Sequence, residues 1–172
     1  MPLTNKYQCQ GFTLIEILVA ALVLGIGILG LTTAMLLGLK SNQTAYFRSQ
    51  ASAAAYDMAD RIRLNRAAAL SGEYDDIDID SDSNVVEPLA CTASATGCTP
   101  TQQAQEDIRL WSQFFVAGND NAARLPEGRG RVSRDAAQRY VITINWSGEN
   151  WDEDNPSQKI NTTETLSITF SL

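Results

Sequence analysis

The sequence predicts an α+β fold: one long N-terminal helix, apolar enough in its first half to cross a membrane, with its second half packed on a small antiparallel sheet. Three observations predict it. An almost uncharged run extends from Phe12 to Leu39, a helical apolar stripe follows it from Phe47 to Ala69, and the C-terminal segments alternate with a period of two. The chain has 172 residues, room for one such helix and one modest core.

Glu16 is the only ionisable side chain between Phe12 and Leu39. A helix over these positions, at ~1.5 Å per residue, is ~42 Å long, more than the ~30 Å of a bilayer's hydrocarbon core. A carboxylate at the edge of such a span costs a few kcal/mol unless it has a partner, so Glu16 is a functional candidate by default. Residues 1–11 carry one charged side chain, Lys6, and no apolar core of their own, so they do not form a secretory signal peptide. Within the run, Gly30, Ala34 and Gly38 form a series of small residues four apart, read as a packing face.

The stretch Gly11-Phe12-Thr13-Leu14-Ile15-Glu16 ahead of this run resembles the processing site of type IV prepilins and type II secretion pseudopilins. The resemblance implies a pilin fold, cleavage between Gly11 and Phe12 by a prepilin peptidase, and N-methylation of Phe12. It implies three parts: a cleaved leader (1–11), a transmembrane and filament-core helix (12–39), and a periplasmic domain (40–172). It further implies that the Phe12 ammonium of an arriving subunit satisfies the Glu16 of a neighbour. Each charge is costly alone in a low-dielectric bundle and tolerable when paired. Major pilins usually carry a proline in this segment, whereas none occurs here between Phe12 and Lys40. That departure points towards a minor pilin or a pseudopilin. The segments Asn42–Tyr46, Arg48–Ala51, Tyr56–Arg63 and Leu125-Pro126-Glu127-Gly128 resemble PilV-type minor pilins.

Beyond the apolar run the helix is expected to continue to about Leu70. Phe47, Ala51, Ala54, Ala55, Met58, Ile62 and Ala69 recur at helical spacing, and Gly72 is a natural stop. Asp76, Asp78, Asp80, Asp82 and Glu87 then fall at the ligand spacing of an EF-hand loop. Ser81 stands where that loop requires glycine, so calcium is the weaker reading. Ile77 and Ile79 alternate with the acids as in an edge strand, and acids on an edge resist unwanted pairing. Cys9 leaves with the leader, and Cys91 and Cys98 remain as a pair. A disulfide is favoured over a metal site, which would need two further ligands that the neighbourhood does not offer. Flanking charge is nearly balanced across the apolar run. The cysteine pair and the leader together place the N-terminus in the cytoplasm and the C-terminal domain outside.

Thr101 to Ala117 reads as a second helix, with Ile108, Trp111, Phe114 and Phe115 as a core stripe, ended by Gly118-Asn119-Asp120-Asn121. Tyr140, Ile142, Ile144 and Trp146 share one strand face, and Leu166, Ile168, Phe170 and Leu172 share another. Ser147 to Thr165 is expected as a long exposed connection of the kind that carries subunit contacts.

Composition narrows the function. Acidic side chains number 20 against 13 basic ones, which makes nucleic acid an unsuitable direct partner. No histidine occurs, which removes the usual general base and histidine-type zinc sites. No enzyme and no cofactor is expected. The expected function is that of a minor type IV pilin, a structural subunit that primes pilus assembly and sits near the tip. The implied partners are other minor pilins, the major pilin, the prepilin peptidase, the inner-membrane assembly platform and the lipid bilayer. The alternatives are a minor pseudopilin of a type II secretion system, or a membrane-anchored adhesin or calcium-binding module.

Overall fold

The structure, a computed structural model, describes residues 12–84, 87–117, 123–151 and 159–172, without the side chains of 149–151 and 159. Its elements in chain order are α1 (Leu14–Leu64), α2 (Arg66–Leu70), β1 (Ile77–Asp80), a short 3-10 turn (Ala90–Ala93), α3 (Pro100–Ser112), β2 (Arg129–Arg134), β3 (Tyr140–Trp151) and β4 (Lys159–Phe170). The chain divides into two compact units, one ending at Gln43 and one comprising Thr44–Leu172.

In the second unit the apolar stripe behaves as its spacing demands. Ala51, Ala54, Ala55, Met58, Ala59 and Ile62 are buried on one face of α1. Small side chains dominate that face, so the sheet and α3 can approach the helix closely. The helix does not run unbroken to Leu70. It stops at Leu64, because Asn65 leaves the helical conformation (φ −101°, ψ 55°) and α2 begins at Arg66. The Asn65 side chain donates to the Pro100 carbonyl at 2.7 Å and to the Tyr74 hydroxyl at 3.1 Å. Gly72, at φ +85°, closes α2, with its N–H bonded to the Ala69 carbonyl.

The sheet is antiparallel throughout, in the order β1-β2-β3-β4. Tyr140, Ile142, Ile144 and Trp146 of β3 form its closed inner face, each no more than 4 % exposed. Helix α3 opens on a capping box in which Thr99 and Gln102 exchange side-chain to backbone bonds, with Pro100 in the first turn. It ends at Ser112, short of Ala117, because Phe114 and Phe115 donate three residues back to Trp111 and Ser112 in tightened turns. Trp111 donates its indole N–H to the Ala54 carbonyl at 2.8 Å, which fixes α3 on α1. Trp111 and Phe115 meet edge to face with ring centroids 4.9 Å apart.

Two features of the sheet differ from expectation. The region from Ser147 to Thr165 is not a long loop, since β3 and β4 stay paired out to Trp151↔Lys159. Thr162, Thr163 and Thr165 are β-branched residues that suit the pleat, and only residues 152–158, outside the described set, separate the strands. Strand β2, Arg129–Arg134, was not expected at all. It turns Gly130 and Val132 inward and lays Arg129 and Arg131 over Asp78 of β1.

Ionic and hydrogen-bonded contacts close the other side of the core. Asp107, 4 % exposed, accepts from Arg61 at 3.1 Å, from the Tyr74 hydroxyl at 2.6 Å and from Gln103 at 2.9 Å. Burial, with this hydrogen bond to Asp107, pushes the Tyr74 phenol well above its ordinary value. Arg134 bridges Asp75, Tyr140 and the Ala69 carbonyl, joining the end of α2 to the sheet.

Candidate functional site: an exposed apolar helix behind one carboxylate

Every residue from Phe12 to Leu39 is exposed, although most are Leu, Ile, Val, Ala or Phe. Phe12 is 80 % exposed, Leu29 71 % and Leu31 72 %. Water makes such a surface costly, at about 25 cal/mol per Å² of apolar area, so it belongs in lipid or against other apolar helices. The segment is also internally satisfied. Inside the helix, the two hydroxyl side chains of this stretch fold back on it, Thr32 onto the Ile28 carbonyl at 2.9 Å and Thr33 onto the Leu29 carbonyl at 3.0 Å. A helix with no outward-facing donors is the form in which a chain crosses hydrocarbon. This is the one helix among the described residues long and apolar enough to span a membrane.

The N-terminus of this helix has a defined local geometry. Thr13 precedes the first helical residue, Leu14. The Thr13 carbonyl accepts from the N–H groups of Glu16 at 3.1 Å and Ile17 at 3.3 Å, and its hydroxyl also faces the Glu16 N–H at 3.4 Å. Glu16 therefore lies in the first turn, where the helix dipole favours a negative charge, and its side chain is open to the surroundings. Phe12 stands just outside the helix, and Gly11 lies outside the described residues. The arrangement presents one carboxylate at the head of an apolar rod, a place where a partner's cation can dock.

The other sequence candidates belong to the second unit. Cys91 and Cys98 are joined as a disulfide, with Cα atoms 4.9 Å apart, and the loop they close runs directly into the Thr99 cap of α3. The acidic segment forms β1 at a sheet edge. Asp78 is held by Arg129 and Arg131, and the hydrogen bond from Arg129 keeps its carboxyl below the usual range. The side chain of Asp80 accepts from the Asp82 N–H at 3.2 Å and the Ser83 hydroxyl at 3.0 Å, organising the turn that follows β1. Asp76 has a left-handed backbone (φ 56°) at the entry to the strand, and Asp82 and Glu87 are exposed. Among the described residues no three carboxylates or thiols gather as a metal site. The buried Asp107 cluster was not singled out from sequence. Its members lie up to about 46 positions apart, and no local pattern joins them.

Two family models match the chain. The prokaryotic N-terminal methylation motif matches residues 6–32, and Type IV pilin Tt1218 matches residues 35–109. No curated protein and no solved structure matches. The first match spans Gly11, Phe12 and Glu16 and most of the exposed helix. The second covers the buried stripe of α1, the acidic edge strand, the disulfide and most of α3. Together the two matches cover more than half of the sequence, and the chain belongs to the type IV pilin family.

Proposed function

We propose that the chain is a PilV-like minor pilin, a structural subunit without catalytic activity. In this reading, a prepilin peptidase cuts between Gly11 and Phe12, the new Phe12 terminus is methylated, and residues 12–39 anchor the subunit in the inner membrane. The N-terminus faces the cytoplasm and residues 40–172 the periplasm. The observation that carries the reading is the fully exposed apolar helix headed by the single carboxylate of Glu16. Glu16 pairs with the Phe12 ammonium of a neighbouring subunit during assembly, exchanging two isolated charges for an ion pair. Minor status is supported by the proline-free course of α1, unbroken from Leu14 to Leu64. Incorporation with other minor pilins and the major pilin, on the assembly platform and near the tip, follows as the subunit's role in priming.

Filaments sheared from cells that express the natural chain or Glu16→Ala test this role. The natural chain is expected in the filament fraction at a small ratio to the major subunit. The variant is expected to remain in the membrane with its periplasmic unit folded. Normal incorporation of Glu16→Ala would overturn the assigned role of the carboxylate. Recovery of the natural chain only with a secretion complex would overturn the pilus assignment in favour of a pseudopilin.

A further inference from the structure

We propose that the outer edge of β4 takes up an extended segment of another subunit by strand addition, a segment with apolar residues at every second position. The two edges of the sheet differ. β1 is four residues long and carries Asp78 and Asp80, the short, charged form that blunts an edge. β4 is 12 residues long, lacks proline, and has Glu164 as its only charge beyond Lys159. Along its whole length it pairs with β3 on one side, and among the described residues no strand lies on the other. The side chains add a second, independent asymmetry. Ile142 and Ile144 of β3 are fully buried, yet their cross-strand neighbours Ile168 and Leu166 are only half-buried, as is Phe170 beside Tyr140. The core face thus closes over β3 and stays partly open over β4.

These two observations specify the occupant. A row of outward backbone N–H and C=O groups is matched along its length only by another strand. The half-covered row of Leu166, Ile168 and Phe170 calls for apolar side chains on that strand's core-facing positions. The opposite face of β4, with Thr163, Thr165, Ser167 and Thr169 exposed, calls for small polar ones. A second copy of β4 fits poorly. Antiparallel self-pairing centred on Leu166 would set Glu164 beside Ile168, and centring on Ser167 would set it beside Phe170. Either arrangement buries a carboxylate against an apolar side chain, whereas an unrelated segment that pairs only from Thr165 onward stays clear of Glu164. The assembly role proposed above supplies only the source of the strand. The competence of the edge stands on the sheet alone.

The test uses the full chain in detergent micelles and hydrogen exchange read by mass spectrometry. The probe is a synthetic heptapeptide alternating threonine and valine, with a scrambled peptide of the same composition as control. The alternating peptide is expected to slow exchange ~10-fold in peptides covering residues 159–172 and to leave residues 77–80 unchanged. Thr163→Lys/Thr169→Lys, which places cations on the exposed face of the edge, is expected to fold with the same melting temperature and to lose that protection. Protection by the scrambled peptide, no protection by the alternating one, or retained protection in the double-lysine variant would overturn the proposal. Protection of β4 without any peptide, together with a doubled protein mass in the micelle, would identify a second copy as the occupant and also overturn it. In cells, the double-lysine variant is expected to reach the membrane and be processed normally yet be depleted from filaments. An unprocessed natural chain whose edge still binds the peptide would sink the pilin role and leave the edge site standing.

Discussion

Replacing Asp107 by alanine is the sharpest test of what holds α1, the Tyr74 loop and α3 together. The carboxylate is almost fully buried and accepts three hydrogen bonds, from Arg61, Tyr74 and Gln103. Its loss leaves the Tyr74 hydroxyl, in a residue with no exposed surface, without an acceptor for its proton. An unsatisfied buried donor costs about 1–3 kcal/mol. Arg61 also loses a buried counter-charge, which costs about 3–5 kcal/mol when no other partner remains. Here Asp57 remains at 2.8 Å and the Arg61 side chain is 26 % exposed, so this loss falls well below that range, at about 1 kcal/mol. The combined expectation for Asp107→Ala is a loss of about 3 kcal/mol. Asp57→Ala removes only a half-exposed helical pair and should cost under about 1 kcal/mol. Urea unfolding of the detergent-solubilised chain, followed by tryptophan fluorescence, measures both. Equal, small effects of the two substitutions would refute the view that Asp107 is the keystone of this cluster.

Other consequences concern the core, the disulfide and pH. A Cβ on Gly130 would lie 2.5 Å from atoms of the Phe115 and Trp111 rings. Gly130→Ala should therefore cost about 1–3 kcal/mol by overpacking, visible as a lowered urea midpoint. Breaking the Cys91–Cys98 bridge by Cys91→Ser/Cys98→Ser should lower unfolding free energy by about 2–3 kcal/mol in the chain-entropy model, again by urea titration. The carboxyls of Glu106 and Asp78 are held below their usual values, mainly by hydrogen bonds from Arg109 and Arg129. A depressed carboxyl stabilises the fold above its unfolded value, and that contribution is lost as pH falls through the folded one. Thermal stability should thus decline below about pH 4. Tyr74 acts in the opposite sense. Its raised phenol stabilises the fold below the ordinary value of 10.0, and the contribution is lost as pH rises beyond it.

The candidate site was legible because its chemistry is local. Glycine, phenylalanine and glutamate within six positions, followed by an uncharged run, need no tertiary information to be noticed. Helix α1 and strands β3 and β4 were legible for a related reason, since burial on one face writes its period directly into Ala51, Ala55 and Met58 or Ile142 and Ile144. Strand β2 was not. Its inward Gly130 looks like a loop residue, and it is glycine because the rings of Trp111 and Phe115 occupy the space. Its arginines look like solvated charge until Asp78, about 51 positions earlier, is brought beside them. The same distance in sequence hid the Asp107 cluster and the break at Asn65, whose partners Tyr74 and Pro100 are fixed only by folding.

Export and processing of this chain as a pilin subunit are read from its intact mass. The protein should be isolated from a strain with an active prepilin peptidase and weighed with and without reduction. The expected masses show loss of Met1–Gly11, one added methyl group on Phe12, and a gain of two hydrogen atoms on reduction of the Cys91–Cys98 disulfide. A chain that retains its first residues and carries free thiols would contradict it.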